Sequence, residues 1–199
     1  MGKQQTEMYD KIQSVQDQLT QLQIDYWFQY SHLGTWQFWV LLLFFFVGPL
    51  VTLYFVIDRR IMFFLGFYGF NIHVWFGYID TIGRKYNFWG YPYELIPFIP
   101  GSIALDATLV PISFMLVYQW TLKNNKNYYL YTAILAAFFS FIIKPILTLH
   151  HLFELHRGVN FFHLFLLYCI IFLISKIITN IFIKLHATEL TEERGQKEL

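Results

Sequence analysis

Polar and apolar positions divide the chain near residue 35. Before that point the sequence is polar and glutamine-rich, with apolar side chains at Met8, Ile12, Val15, Leu19, Leu22 and Tyr26. Their spacing alternates between four and three residues. This heptad seam of about three repeats predicts an amphipathic helix within 1–35, one that pairs with another helix or lies along the membrane or the helical body. The first long apolar run begins only near Trp36, with no basic segment directly before it, so no cleavable signal peptide is expected.

Beyond residue 35 long apolar stretches dominate. A helix that crosses a bilayer needs roughly 20 mostly apolar residues, and five stretches approach that length: 36–57, 61–79, 102–122, 128–149 and 160–183. The third carries Asp106 and Pro111 and follows Pro92, Pro97 and Pro100, so 95–101 can be read as a short re-entrant or interfacial piece. Tyr86, Trp89, Tyr91 and Tyr93 resemble an interfacial aromatic belt. The predicted fold class is all-α: a polytopic membrane helix bundle of about five transmembrane helices, preceded by the N-terminal amphipathic or heptad helix and followed by a polar tail over 184–199. No internal repeat is visible, which leaves an inverted-repeat transporter without support.

Composition argues against a soluble alternative. Of 199 residues, 56% are apolar, 22% aromatic and only 14% charged, where a soluble domain carries roughly 25% charged residues. In water such a chain would leave large apolar patches exposed. A formal net charge of +1 lacks the basic footprint of a nucleic-acid binder. The single cysteine, Cys169, excludes an internal disulfide framework and a thiolate zinc site.

Charge also suggests orientation. Arg59, Arg60, Lys123, Lys126, Lys184, Arg194 and Lys197 fall at one side of a five-span bundle, and Arg84, Lys85 and Arg157 at the other. The positive-inside rule then places the C-terminus in the cytoplasm and the N-terminus outside, in a cell membrane.

Alternating helix direction gathers the candidate chemistry at one end of the bundle. His73, Asp106, Lys144 and His163 each lie close to that end of their spans, and Asp80, Arg84, His150, His151, Glu154, His156 and Arg157 belong to its loops. Ionisable groups within spans are costly and mark functional sites by default. Asp106 and Lys144 are the sharpest pair, since Pro111 and Pro145 also leave carbonyls near Ala107 and Phe141 without their usual donors. A polar pocket of Asp106, Lys144, His73, Asp80, His163, Asn71 and Arg84 is therefore expected. The competing reading has Lys144 reaching to the interface and Asp106 capping a helix turn.

The run His150, His151, Glu154, His156 raises a divalent metal as the one cofactor to consider. On a continuing helix His150 and Glu154 share a face, whereas His151 and His156 do not. Metalloprotease and di-iron spacings are absent, and no nucleophile elbow, phosphate loop or dinucleotide glycine pattern occurs. No cofactor is otherwise expected.

The stretch Ile79-Asp80-Thr81-Ile82-Gly83, then Trp89, Tyr91-Pro92, Pro97, Leu105-Asp106-Ala107-Thr108-Leu109-Val110-Pro111 and Met115-Leu116-Val117-Tyr118-Gln119 resembles a family of small multi-pass integral membrane proteins of spore-forming Gram-positive bacteria that has no assigned activity. The similarity covers about residues 36–183, with its signature in 79–119. It implies a bacterial cytoplasmic membrane and supplies no catalytic residues.

Three function classes follow. The first binds or conducts a small polar solute or ion in the polar pocket, alone or as a subunit. The second is a structural or assembly factor that joins partner membrane proteins through the heptad helix. The third, least favoured, is a metal-dependent membrane enzyme. The expected partners are the lipid bilayer and either a second copy or another membrane protein, and no nucleic acid.

Overall fold

A computed structural model describes residues 2–99 and 101–197, with side chains placed as far as His186. It contains six helices and almost no strand. Helix α1 is Lys3–Tyr26, prolonged by one wide turn over Trp27–Ser31. The others are α2 (Trp36–Val56), α3 (Met62–Lys85), α4 (Ala104–Lys123), α5 (Tyr128–Leu149) and α6 (Phe161–Lys197). Two short strands, β1 (Trp89–Gly90) and β2 (Glu154–Leu155), pair antiparallel, Trp89 opposite Leu155.

Among the described residues four helices are long and apolar enough to cross a membrane: α2, α4, α5 and the Phe161–His186 part of α6. The expected fifth span, 61–79, is not one of them. Its residues form α3, where Asn71, His73 and Asp80 interrupt the apolar run, and whose buried stripe (Leu65, Tyr68, Ile72, Phe76, Asp80) packs chiefly against α4 and α6. Helix α6 continues through the polar region from 184 as far as Lys197. Arg194 and Lys197, used above for orientation, have side chains outside the described residues, as does Pro100.

Helix α4 is the centre of the bundle: 61% of its apolar stretch is buried, against 11% in α2. Outward rings such as Phe44, Phe55 and Phe63 are exposed, the arrangement expected of helices whose outer surface meets lipid. The same backbone device occurs in α2, α4 and α5. Each contains a proline, Pro49, Pro111 or Pro145, and in each the turn before it widens to a π-helix (Leu41–Val47, Ala104–Leu109, Phe139–Ile143). Proline offers no N–H and its ring crowds the carbonyl four residues earlier. The wide turn relieves this: Gly48, Val110 and Lys144, each just before its proline, donate to the carbonyls of Leu43, Leu105 and Phe139, five residues back.

The carbonyl left over in α2, that of Phe45, receives help from a neighbour. Thr108 Oγ1 lies 2.6 Å from it and 2.7 Å from the Ala104 carbonyl, so one hydroxyl proton serves two acceptors. At the far end of α2, Gln119 of α4 accepts from Asp58 N–H (2.7 Å) and donates to the Val56 carbonyl (3.0 Å). These bonds tie the least buried of the four spans to the most buried one.

Thr108→Val keeps the shape of that side chain and removes the donor. With Thr108 buried, the stranded carbonyls should cost about 1–3 kcal/mol, measured as reduced unfolding stability in detergent. Ser113→Ala, whose hydroxyl bonds only within its own helix, should change it far less.

Candidate functional site

Asp80 stands near the end of α3, Asp106 in the wide turn that opens α4, and Lys144 directly after the wide turn of α5. All three are at most 5% exposed. The loop after α3 closes over them. Trp89 Nε1 and Tyr91 OH both donate to Asp80 Oδ1, at 2.8 and 2.7 Å, and Lys144 Nζ donates to Tyr91 OH at 3.3 Å. Burial, then Asp80 and Asp106 beside it, hold the Tyr91 phenol well above its usual range, so it keeps the proton it donates. Lys144 Nζ also lies 3.7 Å from the centre of the Phe153 ring and 5.0 Å from that of Tyr91, cation–π contacts that take the place of water around the ammonium.

The two aspartates converge on Gly101. Its φ is +91°, and a Cβ there would overlap Asp106 Oδ2 and stand 3.2 Å from Asp80 Oδ2. Glycine is required here by backbone conformation and by space together. Gly83 plays a simpler part, since a Cβ on it would overlap the Trp89 ring.

This cluster is not fully satisfied. Asp80 Oδ2, Asp106 Oδ1 and the Tyr168 hydroxyl are buried without a hydrogen-bond partner, although such groups are nearly always paired. A cavity of about 20 Å³, lined among others by Asp80, Tyr91, Lys144 and Tyr168, has room for a single water-sized species.

Tyr91 borders both this cavity and grooves of about 270 and 770 Å³ beneath α1. There Arg84 pairs with Glu94 at 2.6 Å and lies 5.7 Å from the Tyr91 ring centre. Burial raises the Glu94 carboxyl to about 7 against the opposing pull of Arg84. The Glu94 backbone holds the end of α1: its carbonyl accepts from Trp27 Nε1 (2.8 Å) and Ser31 Oγ (3.1 Å), and its N–H donates to Ser31 Oγ (2.9 Å).

On its inner side the cluster ends at a stack of rings. Phe114 lies nearly parallel to Phe139 and Tyr168, with centres 6.4 and 6.3 Å away, and Phe172 closes the group at 6.3 Å. Beyond it a second polar group begins, where Lys176 donates to Tyr118 OH and the Tyr68 and Tyr128 hydroxyls are 2.7 Å apart.

Of the residues singled out from the sequence, Asp80, Asp106 and Lys144 come together, with Arg84 on the outer side of Tyr91. His73 reaches Asp106 only through the backbone, Nδ1 donating to the carbonyl at 2.8 Å. Asn71 donates to the Phe67 carbonyl of its own helix. His163 is exposed, accepts from the Asn160 N–H (3.2 Å) and borders a separate apolar groove. The helix assumed for His150 and Glu154 ends at Leu149, and His151 adopts a φ of +56°, so the shared face does not form. His150 packs on Trp36, His151 stands 3.6 Å from Glu154, and His156 pairs its N–H with Phe88 O. Among the described residues no three His, Cys, Asp or Glu side chains gather as a metal site.

Sequence reasoning missed Glu94, Gly101, Phe153 and Tyr168, and took Trp89 and Tyr91 for an interfacial belt. The available signal was the aspartate at the end of an apolar stretch followed within a dozen residues by two aromatic donors.

The raised Glu94 carboxyl has a pH consequence. Its folded form holds a proton that the unfolded form, near 4.5, has lost, so stability declines as pH rises from about 4.5 to about 7 and then levels. The slope should not exceed about 1.4 kcal/mol per pH unit. In denaturant titrations across this window the protein should lose stability relative to Glu94→Gln as pH rises, and a difference independent of pH would contradict it.

Comparison of the chain with protein-family models, with curated proteins and with solved structures finds no match.

Proposed function

We propose that the chain is an integral membrane protein that binds one positive charge, a proton or a monovalent cation, at Asp80, Asp106 and Lys144 close to one membrane face. One observation carries this reading. The buried cluster itself holds two carboxylates, Asp80 and Asp106, against one cation, Lys144, and two of the aspartate oxygens have no donor, while Arg84 on the outer side of Tyr91 is taken up by Glu94. A surplus buried carboxylate is strongly unfavourable unless neutralised. The small cavity has room for a water-sized guest, and the ring stack behind it favours binding over conduction.

Loop contacts support α3 as a further crossing. Ser31, just before α2, bonds to Glu94, just after α3, and Phe88 bonds to His156 beyond α5. The chain thus returns to one face after each pair of helices, which gives five crossings and termini on opposite sides. With the basic bias, the C-terminus lies in the cytoplasm and the site opens outward, in a bacterial cell membrane as the resemblance implies.

The test follows the charge count. In detergent, the wild-type melting temperature should rise with falling pH at constant salt, or with added Na⁺ or K⁺ at constant pH, and the two arms separate proton from metal cation. Asp106→Asn removes the surplus charge and should abolish that response beyond the part due to Glu94, which the Glu94→Gln background subtracts. Lys144→Met leaves both aspartates unopposed and should cost roughly 3–5 kcal/mol, with partial recovery when combined with Asp106→Asn. An unchanged response in Asp106→Asn would overturn the proposal.

A further inference from the structure

Helix α1 has no buried residue. Its seam, Met8, Ile12, Val15, Leu19, Leu22 and Tyr26, is uncovered throughout, each side chain at least 45% exposed. The helix is nevertheless held in place, because Trp27 and Ser31 fasten its end to Glu94, and Gln16, Leu19, Thr20 and Gln23 line the groove above Thr81 and Arg84, with Leu22 and Tyr26 on the edge of the groove beside it. With 3.6 residues per turn, the centre of the seam lies to one side of Gln16, Thr20 and Gln23, so that one edge of it borders the grooves over the body and the rest is open. Its open edge therefore points sideways along the membrane face, toward whatever stands next to the molecule.

We propose that this seam is covered by α1 of a second copy of the chain, running antiparallel, so that the protein is a two-fold dimer. Flanking positions choose the direction. The flank toward the body carries Tyr9, Gln16 and Gln23; the flank away from it carries Lys11, Gln18 and Asp25. Two copies inserted the same way in one membrane can be related only by an axis perpendicular to it. That axis sets like flanks against like and makes the helices antiparallel. A parallel pair would set the outer flank of one against the inner flank of the other and would require one copy to be inverted in the membrane.

The residues fit the antiparallel register. Met8 meets the partner's Tyr26, Ile12 the partner's Leu22, and Val15 the partner's Leu19. On the outer flank Lys11 falls opposite the partner's Asp25, and symmetry provides the pair twice. On the inner flank Gln16 meets the partner's Gln16, where an amide can donate and accept at once. A parallel pairing would set Lys11 against the partner's Gln16 and leave Asp25 without an opposing charge. The inference needs only the membrane reading and is independent of what the buried aspartates bind.

Disulfide cross-linking of the full chain in membranes tests it, in a Cys169→Ser background. Co-expressed Ile12→Cys and Leu22→Cys copies should give a cross-linked dimer, at about tenfold the yield of either variant alone. Two Ile12→Cys side chains would lie about 15 Å apart along the antiparallel helices, beyond the reach of a disulfide. Because α1 buries nothing in its own bundle, these variants leave the bundle intact. Lys11→Glu should weaken dimerisation about fivefold, and Lys11→Glu with Asp25→Lys should restore it. A disulfide in Ile12→Cys alone would establish the parallel arrangement and overturn the proposal. Failure of every pair to cross-link, with Val15 and Leu19 shielded by lipid, would overturn it in favour of a surface-lying helix.

Discussion

Asp80 cannot be left alone in an apolar interior, and the donors that keep it there come from the next loop. Trp89 and Tyr91 reach back to one of its oxygens, which fixes the course of residues 86–94. That course brings β1 beside β2 and sets Glu94 under the end of α1. It also places the Tyr91 hydroxyl where Lys144 can donate to it. Helices α1, α3 and α5 and two loops therefore take their relative positions from the solvation of one carboxylate. Desolvation makes such an arrangement demanding, since each polar partner must itself be provided for. Tyr91 manages this by donating to Asp80 while accepting from Lys144.

Much of this could be read from the order of residues, for reasons that are physical. The seam in α1 and the long apolar runs are repetitive signals, and repetition survives ignorance of tertiary contacts. Asp106 and Lys144 were legible because a charge within an apolar run is rare and alternating helix direction sets its depth. The same logic misplaced Asn71 and His163. Depth says nothing of which side of a helix a residue occupies, and Asn71 satisfies its amide on its own backbone.

Facing was obscured by the wide turns. Each inserts an additional residue into the helical period, so residues after Phe139–Ile143 are rotated relative to those before it. Lys144 emerges directly from such a turn. Prolines were visible as a source of unpaired carbonyls, but the remedy, a widened turn with Thr108 serving Phe45, depends on a neighbouring helix and leaves no periodic trace. Gly101 was illegible for a related reason, because its necessity arises from two aspartates that approach it from different helices.

The stack of Phe114, Phe139, Tyr168 and Phe172 has a consequence for the membrane as an electrical barrier. Each of these rings is at most 3% exposed, and together they separate the aspartate cluster from the tyrosines around Lys176. A hydrated ion reaching this level would have to shed its water among ring carbons and a single hydroxyl, far less than its hydration shell supplies. The cation proposed for the aspartate cluster could therefore come and go without current passing through the bundle. At the level of this stack the fold is built as an insulator.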